Sequence, residues 1–95
     1  MREPTMETKQ LYHRLESMLF VAGDPVAISE LARVCDMPKA DMLTLLKAME
    51  ADYLADGRGI VPLVTDETVQ LTSNRSFASD VQALLQPDET KNVSQ

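Results

Sequence analysis

The residues with chemistry to offer are few. His13 is the only histidine and Cys35 the only cysteine in the 95-residue chain. His13 sits between Tyr12 and Arg14 on an arc of polar residues, where an imidazole is solvated rather than poised as a general base. Cys35 has no histidine near it in sequence and is followed by Asp36. A thiol becomes reactive beside cations or at a helix N-terminus, so Cys35 reads as a small buried apolar residue. One cysteine and one histidine fall short of the four N/S ligands of a usual zinc site. The acidic pairs Asp66-Glu67 and Asp88-Glu89 suit a turn and a tail. Gly57-x-Gly59 follows a helical pattern and precedes a strand, the reverse of a phosphate-binding glycine loop. No catalytic residues, cofactor or metal are therefore expected, and the chain is not expected to be an enzyme.

The elements that carry these residues follow from periodicity and breakers. Leu11, Leu15, Met18, Leu19 and Ala22 form one stripe of a helix over about 8–22, ended by Gly23 and Pro25. Ser29 is a good cap for a short helix from Glu30 to about Cys35, with Leu31, Ala32 and Val34 inward. Asp36-Met37-Pro38 breaks it, Asp36 being able to cap the next helix. A third helix spans about 39–54 with Met42, Leu45, Leu46, Met49 and Tyr53 on its core face. Residues 60–65 are apolar and β-branched, and residues 68–72 alternate with Val69 and Leu71 on one side; around a turn at Asp66-Glu67 they make a hairpin with Pro62 on an edge strand. Asn74 or Ser76 caps a last helix to about Gln86, with Phe77, Val81, Leu84 and Leu85 on one face, and Pro87 stops it. Helix, helix-turn-helix, two-stranded wing and helix make a mainly α fold with a small β-hairpin, the winged-helix arrangement. Residues 1–7 read as a flexible lead, 8–87 as the winged-helix domain and 88–95 as a tail or linker.

Charge and composition narrow the function classes. Nine basic residues stand against fifteen acidic ones, for a net charge of −6. That balance opposes wrapping of nucleic acid and docking on anionic lipid. One cysteine rules out a disulfide framework within the chain, which suits a reducing compartment. No apolar run approaches membrane-spanning length, and the polar N-terminus has no hydrophobic signal region. The cytoplasm is the expected location.

Three stretches carry a family likeness. Leu19-Phe20-Val21-Ala22-Gly23-Asp24-Pro25-Val26, with Ser29-Glu30-Leu31-Ala32 after it, resembles the opening of the segregation and condensation protein B (ScpB) family. Asp56-Gly57-Arg58-Gly59-Ile60 and Val69-Gln70-Leu71-Thr72-Ser73 are similar to that family's wing. Leu84-Leu85-Gln86-Pro87 matches its exit from the last helix. The likeness runs in order over about residues 10–87 and rests mostly on structural residues. It implies a non-enzymatic homodimer that binds the kleisin subunit ScpA. Through ScpA and an SMC ATPase it would act in chromosome condensation and segregation, held at the nucleoid by the complex. The family carries two tandem winged helices and this sequence matches the first, so residues 88–95 would lead toward a second domain absent here. The hairpin turn departs from the family, with Asp66-Glu67-Thr68 where glycines are expected.

The alternative is a DNA-binding winged-helix transcriptional regulator, which would place the third helix in the major groove. Ala40, Thr44, Lys47 and Ala51 fall opposite the core stripe and offer one cation. Across residues 29–56, three basic residues face six acidic ones. Asp66 and Glu67 sit at the wing tip, where carboxylates would oppose phosphate. Direct DNA binding is not expected on these grounds.

One apolar residue is misplaced for a simple core. Phe20 lies on the back of the first helix, with Val21 on its flank. Either the hairpin or last helix packs over Phe20, or Phe20 joins Val21 and wing residues such as Val61 and Leu63 in a dimer surface. Tyr12 and Tyr53 either border a partner groove or sit at the rim of the core.

Overall fold

The computed structural model describes residues 4–86. Helix α1 spans Met6–Ala22. It starts two residues before the expected position 8 because Thr5 caps it, its hydroxyl accepting from the Thr8 N–H at 3.1 Å. It ends where Gly23, at φ 75°, donates to the Leu19 carbonyl, a left-handed cap that glycine adopts without steric cost. The buried face is rotated from the expected one. Tyr12, Leu15 and Leu19 are inside, Leu11 and Met18 only half-buried, and Ala22 exposed. Tyr12 takes the inner position because its hydroxyl finds an acceptor on a facing helix.

Strand β1 is Val26–Ala27, helix α2 is Ile28–Val34 and helix α3 is Lys39–Ala55. The expected Ser29 cap does not form. Ala27 occupies the N-cap position of α2, and the Ile28 N–H donates instead to the Glu67 carbonyl at the wing tip. Nor does Asp36 cap α3, whose N-cap is Pro38. Asp36 has a left-handed φ of 57° and closes α2: its N–H reaches the Arg33 carbonyl, and the Met37 N–H reaches that of Ala32. That is the Schellman arrangement, here with aspartate in glycine's place. Gly57, at φ 67°, ends α3 in the same way, with Gly57 N–H to Leu54 and Arg58 N–H to Tyr53. Val34, expected inward, is exposed.

The wing contains strands β2 (Ile60–Val64) and β3 (Thr68–Ser73). The sheet has three antiparallel strands in the order β1-β3-β2, one more than the expected hairpin. Pro62 is on edge strand β2, where its missing N–H costs no ladder bond. The turn works without glycine: among described residues the only non-glycine with positive φ is Asp36. The Thr65 hydroxyl accepts from the Glu67 and Thr68 N–H groups at 3.2 and 2.9 Å, the side-chain-to-backbone bonding that stabilises such turns. Asn74 then ties the wing root together. It is buried, and its amide donates to the Arg58 carbonyl while accepting from Ser76 N–H. Its own N–H reaches Gly59. A 3₁₀ turn, Arg75–Phe77, leads into helix α4, Ala78–Leu85.

Leu15, Ile28, Met42, Leu46, Met49 and Val69 form the fully enclosed centre of the core. Helix α4 does not join it. Phe77, Leu84 and Leu85 are exposed and Val81 is half-buried, contrary to the packed face expected of them. The Pro87 stop and the 88–95 tail fall outside the described residues.

Candidate interaction surface

Two tyrosines clasp α1 to α3. The Tyr12 hydroxyl on α1 donates to Asp52 Oδ2 on α3 at 2.6 Å, and the Tyr53 hydroxyl on α3 donates to Glu16 Oε1 on α1 at 2.7 Å. Their rings meet edge to face, centroids 5.9 Å apart. The Arg58 guanidinium lies 4.6 Å above the Tyr53 ring, within cation–π range. Burial first, then the hydrogen bond to Asp52, raises the Tyr12 pKa well above the ordinary tyrosine range. Burial and the bond to Glu16 push Tyr53 up to about 12.

These raised values make a pH prediction. Below pH 10 both folded and unfolded tyrosines hold their protons. Above it the unfolded chain releases them first, so stability declines as pH rises from 10 toward 12 and beyond. The steepest loss is about 1.4 kcal/mol per pH unit for each tyrosine. Near-ultraviolet absorbance should show tyrosinate appearing together with loss of the helical circular dichroism signal. Full tyrosine ionisation at pH 10 with the fold intact would contradict the clasp.

The clasp supports an open groove between α1 and the wing, lined by His13, Glu16, Ser17, Phe20, Arg58, Ile60 and Leu71. Phe20 and Val21 are 78% and 80% exposed, so neither hairpin nor last helix packs over Phe20. Of the other residues singled out from sequence, Tyr12 is 3% and Val61 6% exposed. Both are core residues, unavailable to a partner without unfolding. Leu63 is 50% exposed, but it pairs with Gln70 while Pro62 pairs with Leu71. Side chains alternate along a strand, so Leu63 projects from the opposite face to Ile60 and Leu71. The structure thus joins Phe20 to Ile60 and Leu71 rather than to Val61 and Leu63. The signal was one residue out of register, and a one-residue shift exchanges the faces.

The helix-turn-helix offers no basic face. Ala40, Thr44, Lys47 and Ala51 are exposed on α3 as expected. Of the three cations in this region, Arg33 pairs with Glu30 at 2.8 Å and Lys39 with the wing-tip Glu67 at 2.7 Å. Both pairs are largely solvated and worth little in stability, yet they occupy charge that phosphate would need.

His13 is exposed at the groove. Cys35 is half-buried, with Arg14 Nη2 3.9 Å from its sulfur, a neighbour 21 residues away that sequence order conceals. Among the described residues no group of three or more His, Cys, Asp or Glu is placed to hold a metal ion. No helix among them is long and apolar enough to cross a membrane.

Comparison with known proteins gives one answer by three routes. The family described as segregation and condensation complex subunit ScpB matches residues 13–95. Segregation and condensation protein B of Caldanaerobacter subterraneus subsp. tengcongensis is 29% identical over 82 residues, covering 86% of this chain and 49% of that protein. Its counterpart from Clostridium botulinum strain 657 is 31% identical over 81 residues, covering 85% and 42%. The chain therefore spans about half the length of the curated relatives it matches. Among solved structures, ScpB from Mycobacterium tuberculosis superposes with a TM-score of 0.71 at 26% identity, over 86% of this chain and 51% of that one. A dimer of an ScpB N-terminal domain complexed with ScpA peptide has the same TM-score at 21% identity, over 83% and 99%.

Proposed function

This chain belongs to the family of ScpB subunits of the segregation and condensation complex, and on that premise we propose that it is a non-enzymatic interaction module of such a complex. It self-associates and engages the kleisin subunit ScpA, and through it an SMC ATPase, in the cytoplasm at the nucleoid. The observation that carries this reading is Phe20-Val21, two neighbouring large apolar residues left almost fully exposed on a helix whose other side is well packed. An exposed apolar patch beside an apolar groove marks an interaction site. The module acts by burying this surface, and no reaction is assigned to it. The region 8–87 serves as the winged-helix unit. The relatives' greater length supports a second unit in the whole protein.

DNA reading is disfavoured by the same structure, because two of the three helix-turn-helix cations are already paired with carboxylates.

Sedimentation of the chain alone tests the self-association. The unaltered chain should run as a dimer, and Phe20→Asp as a folded monomer. Burying a phenylalanine contributes roughly 1.5–3 kcal/mol, and a two-fold interface counts it twice. The dimer constant should therefore weaken roughly 10²–10⁴-fold. A Phe20→Asp variant that stayed folded and dimeric would remove Phe20 from the interface. Co-purification with the ScpA subunit, and absence of a salt-sensitive DNA shift, test the partner assignment.

A further inference from the structure

We infer that the apolar face of α4 is the seat of the second unit of the whole protein, which folds back onto it through the linker that begins at Pro87. This rests on the second unit proposed above and says where that unit docks.

Phe77, Val81, Leu84 and Leu85 recur at the spacing of one helical face. Leu84 and Leu85 are 78% and 75% exposed, Phe77 is 41% exposed and Val81 is half-buried. The helix packs mainly on the 3₁₀ turn that leads into it. Its eight residues make about 12 Å of helix, too short to be stable in water without a packed face. Two leucines shown side by side on such a helix mark a surface that is covered in the working protein.

Four observations select the tethered unit as the occupant. First, the curated relatives are about twice as long as their match to this chain. The solved N-terminal domain of ScpB that superposes on the chain is covered over 99%, which puts the added length after α4. Second, the backbone is redirected at the end of the apolar face. Gln86 is extended, at φ −66° and ψ 148°, the conformation that a following proline imposes. The helix is therefore not prolonged into a rod that would hold the next unit away. Third, the reach is sufficient. Residues 87–95 span at most roughly 30 Å when fully extended, more than the length of α4, so a unit attached beyond them can cover the whole face. The attachment holds that unit at an effective concentration on the order of millimolar. Fourth, the face is close to neutral. Residues 74–86 carry one cation, Arg75, and one anion, Asp80, on a chain of −6. A free partner is guided by opposite charge, whereas a tethered one needs no guidance.

Hydrogen exchange tests the seat. The whole protein, carried through its second unit, is compared with the 95-residue chain. The amides of residues 78–85 should exchange at least about tenfold more slowly in the whole protein. Leu84→Ser combined with Leu85→Ser should abolish that difference. The same pair should leave exchange in the rest of the winged helix unchanged, because neither leucine is buried in it. Equal exchange of α4 at both lengths, with the second unit folded, would overturn the docking while the second unit stands. A whole protein without a second unit overturns both readings. Protection that rises with the concentration of the 95-residue chain gives the face to a second copy. Protection that appears only on adding the ScpA subunit gives it to that partner. Either result overturns the proposal.

Discussion

Tyr53→Ala destabilises the domain by about 3–5 kcal/mol, the range for removing a large buried aromatic side chain. Tyr53 is buried on α3, its ring packed edge to face against Tyr12. Truncation empties that contact, strips Glu16 of the hydroxyl that donates to it at 2.7 Å, and removes the platform under Arg58. Tyr53→Phe separates these effects. It keeps the ring and the Arg58 stacking but leaves the carboxylate without its partner, at about 1–3 kcal/mol. Urea unfolding followed by circular dichroism measures both. The expected order is unaltered, then Phe, then Ala, with an unchanged dependence on denaturant. An alanine cost below about 1 kcal/mol would mean that the clasp adds little to the core.

Leu46→Ala should cost about 2–5 kcal/mol. Leu46 is fully buried near the middle of α3, on the stripe that also buries Met42 and Met49. The cavity left there has close-packed walls and little freedom to collapse. Small domains hold about 5–15 kcal/mol in total, so this single change takes a large share and should lower the melting temperature by many degrees. Lys47→Ala, one residue away on the exposed face, should fall within about 0.5 kcal/mol of the unaltered chain. Thermal denaturation of the pair decides the matter. Equal losses would mean that α3 is oriented differently from the arrangement described.

Much of this fold is legible in local signals. The stripe Met42, Leu46, Met49 and Tyr53 locates α3, and the hairpin strands lie within a residue or two of where their alternation places them. Gly23 and Gly57 end helices, as glycine at a left-handed cap does. Other features depend on distant neighbours. Ser29 looks like a cap, but the Ile28 N–H is satisfied by Glu67, 39 positions on. Strand β1 is two residues long, too short to carry a pattern, and exists because β3 pairs with it. Tyr12 reads as a residue of a partner groove or of the core rim until Asp52, 40 residues away, accepts a hydrogen bond from its hydroxyl.

The candidate surface divides in the same way. Phe20 and Val21 stand out from sequence because they fall off the apolar stripe of their own helix, a property of local periodicity. Which wing residues accompany them depends on strand register, and register decided for Ile60 and Leu71 over Val61 and Leu63.

From its sequence alone this protein is determined as an acidic winged helix of the ScpB family. Those properties follow from composition and from contacts a few residues apart along the chain. Tertiary structure alone decided that Tyr12 and Val61 are inside, that α4 adds no buried residue, and that Phe20, Glu16, Arg58, Ile60 and Leu71 share one groove. Those outcomes rest on pairings between residues tens of positions apart, whose geometry is set when helices and strands pack and not before.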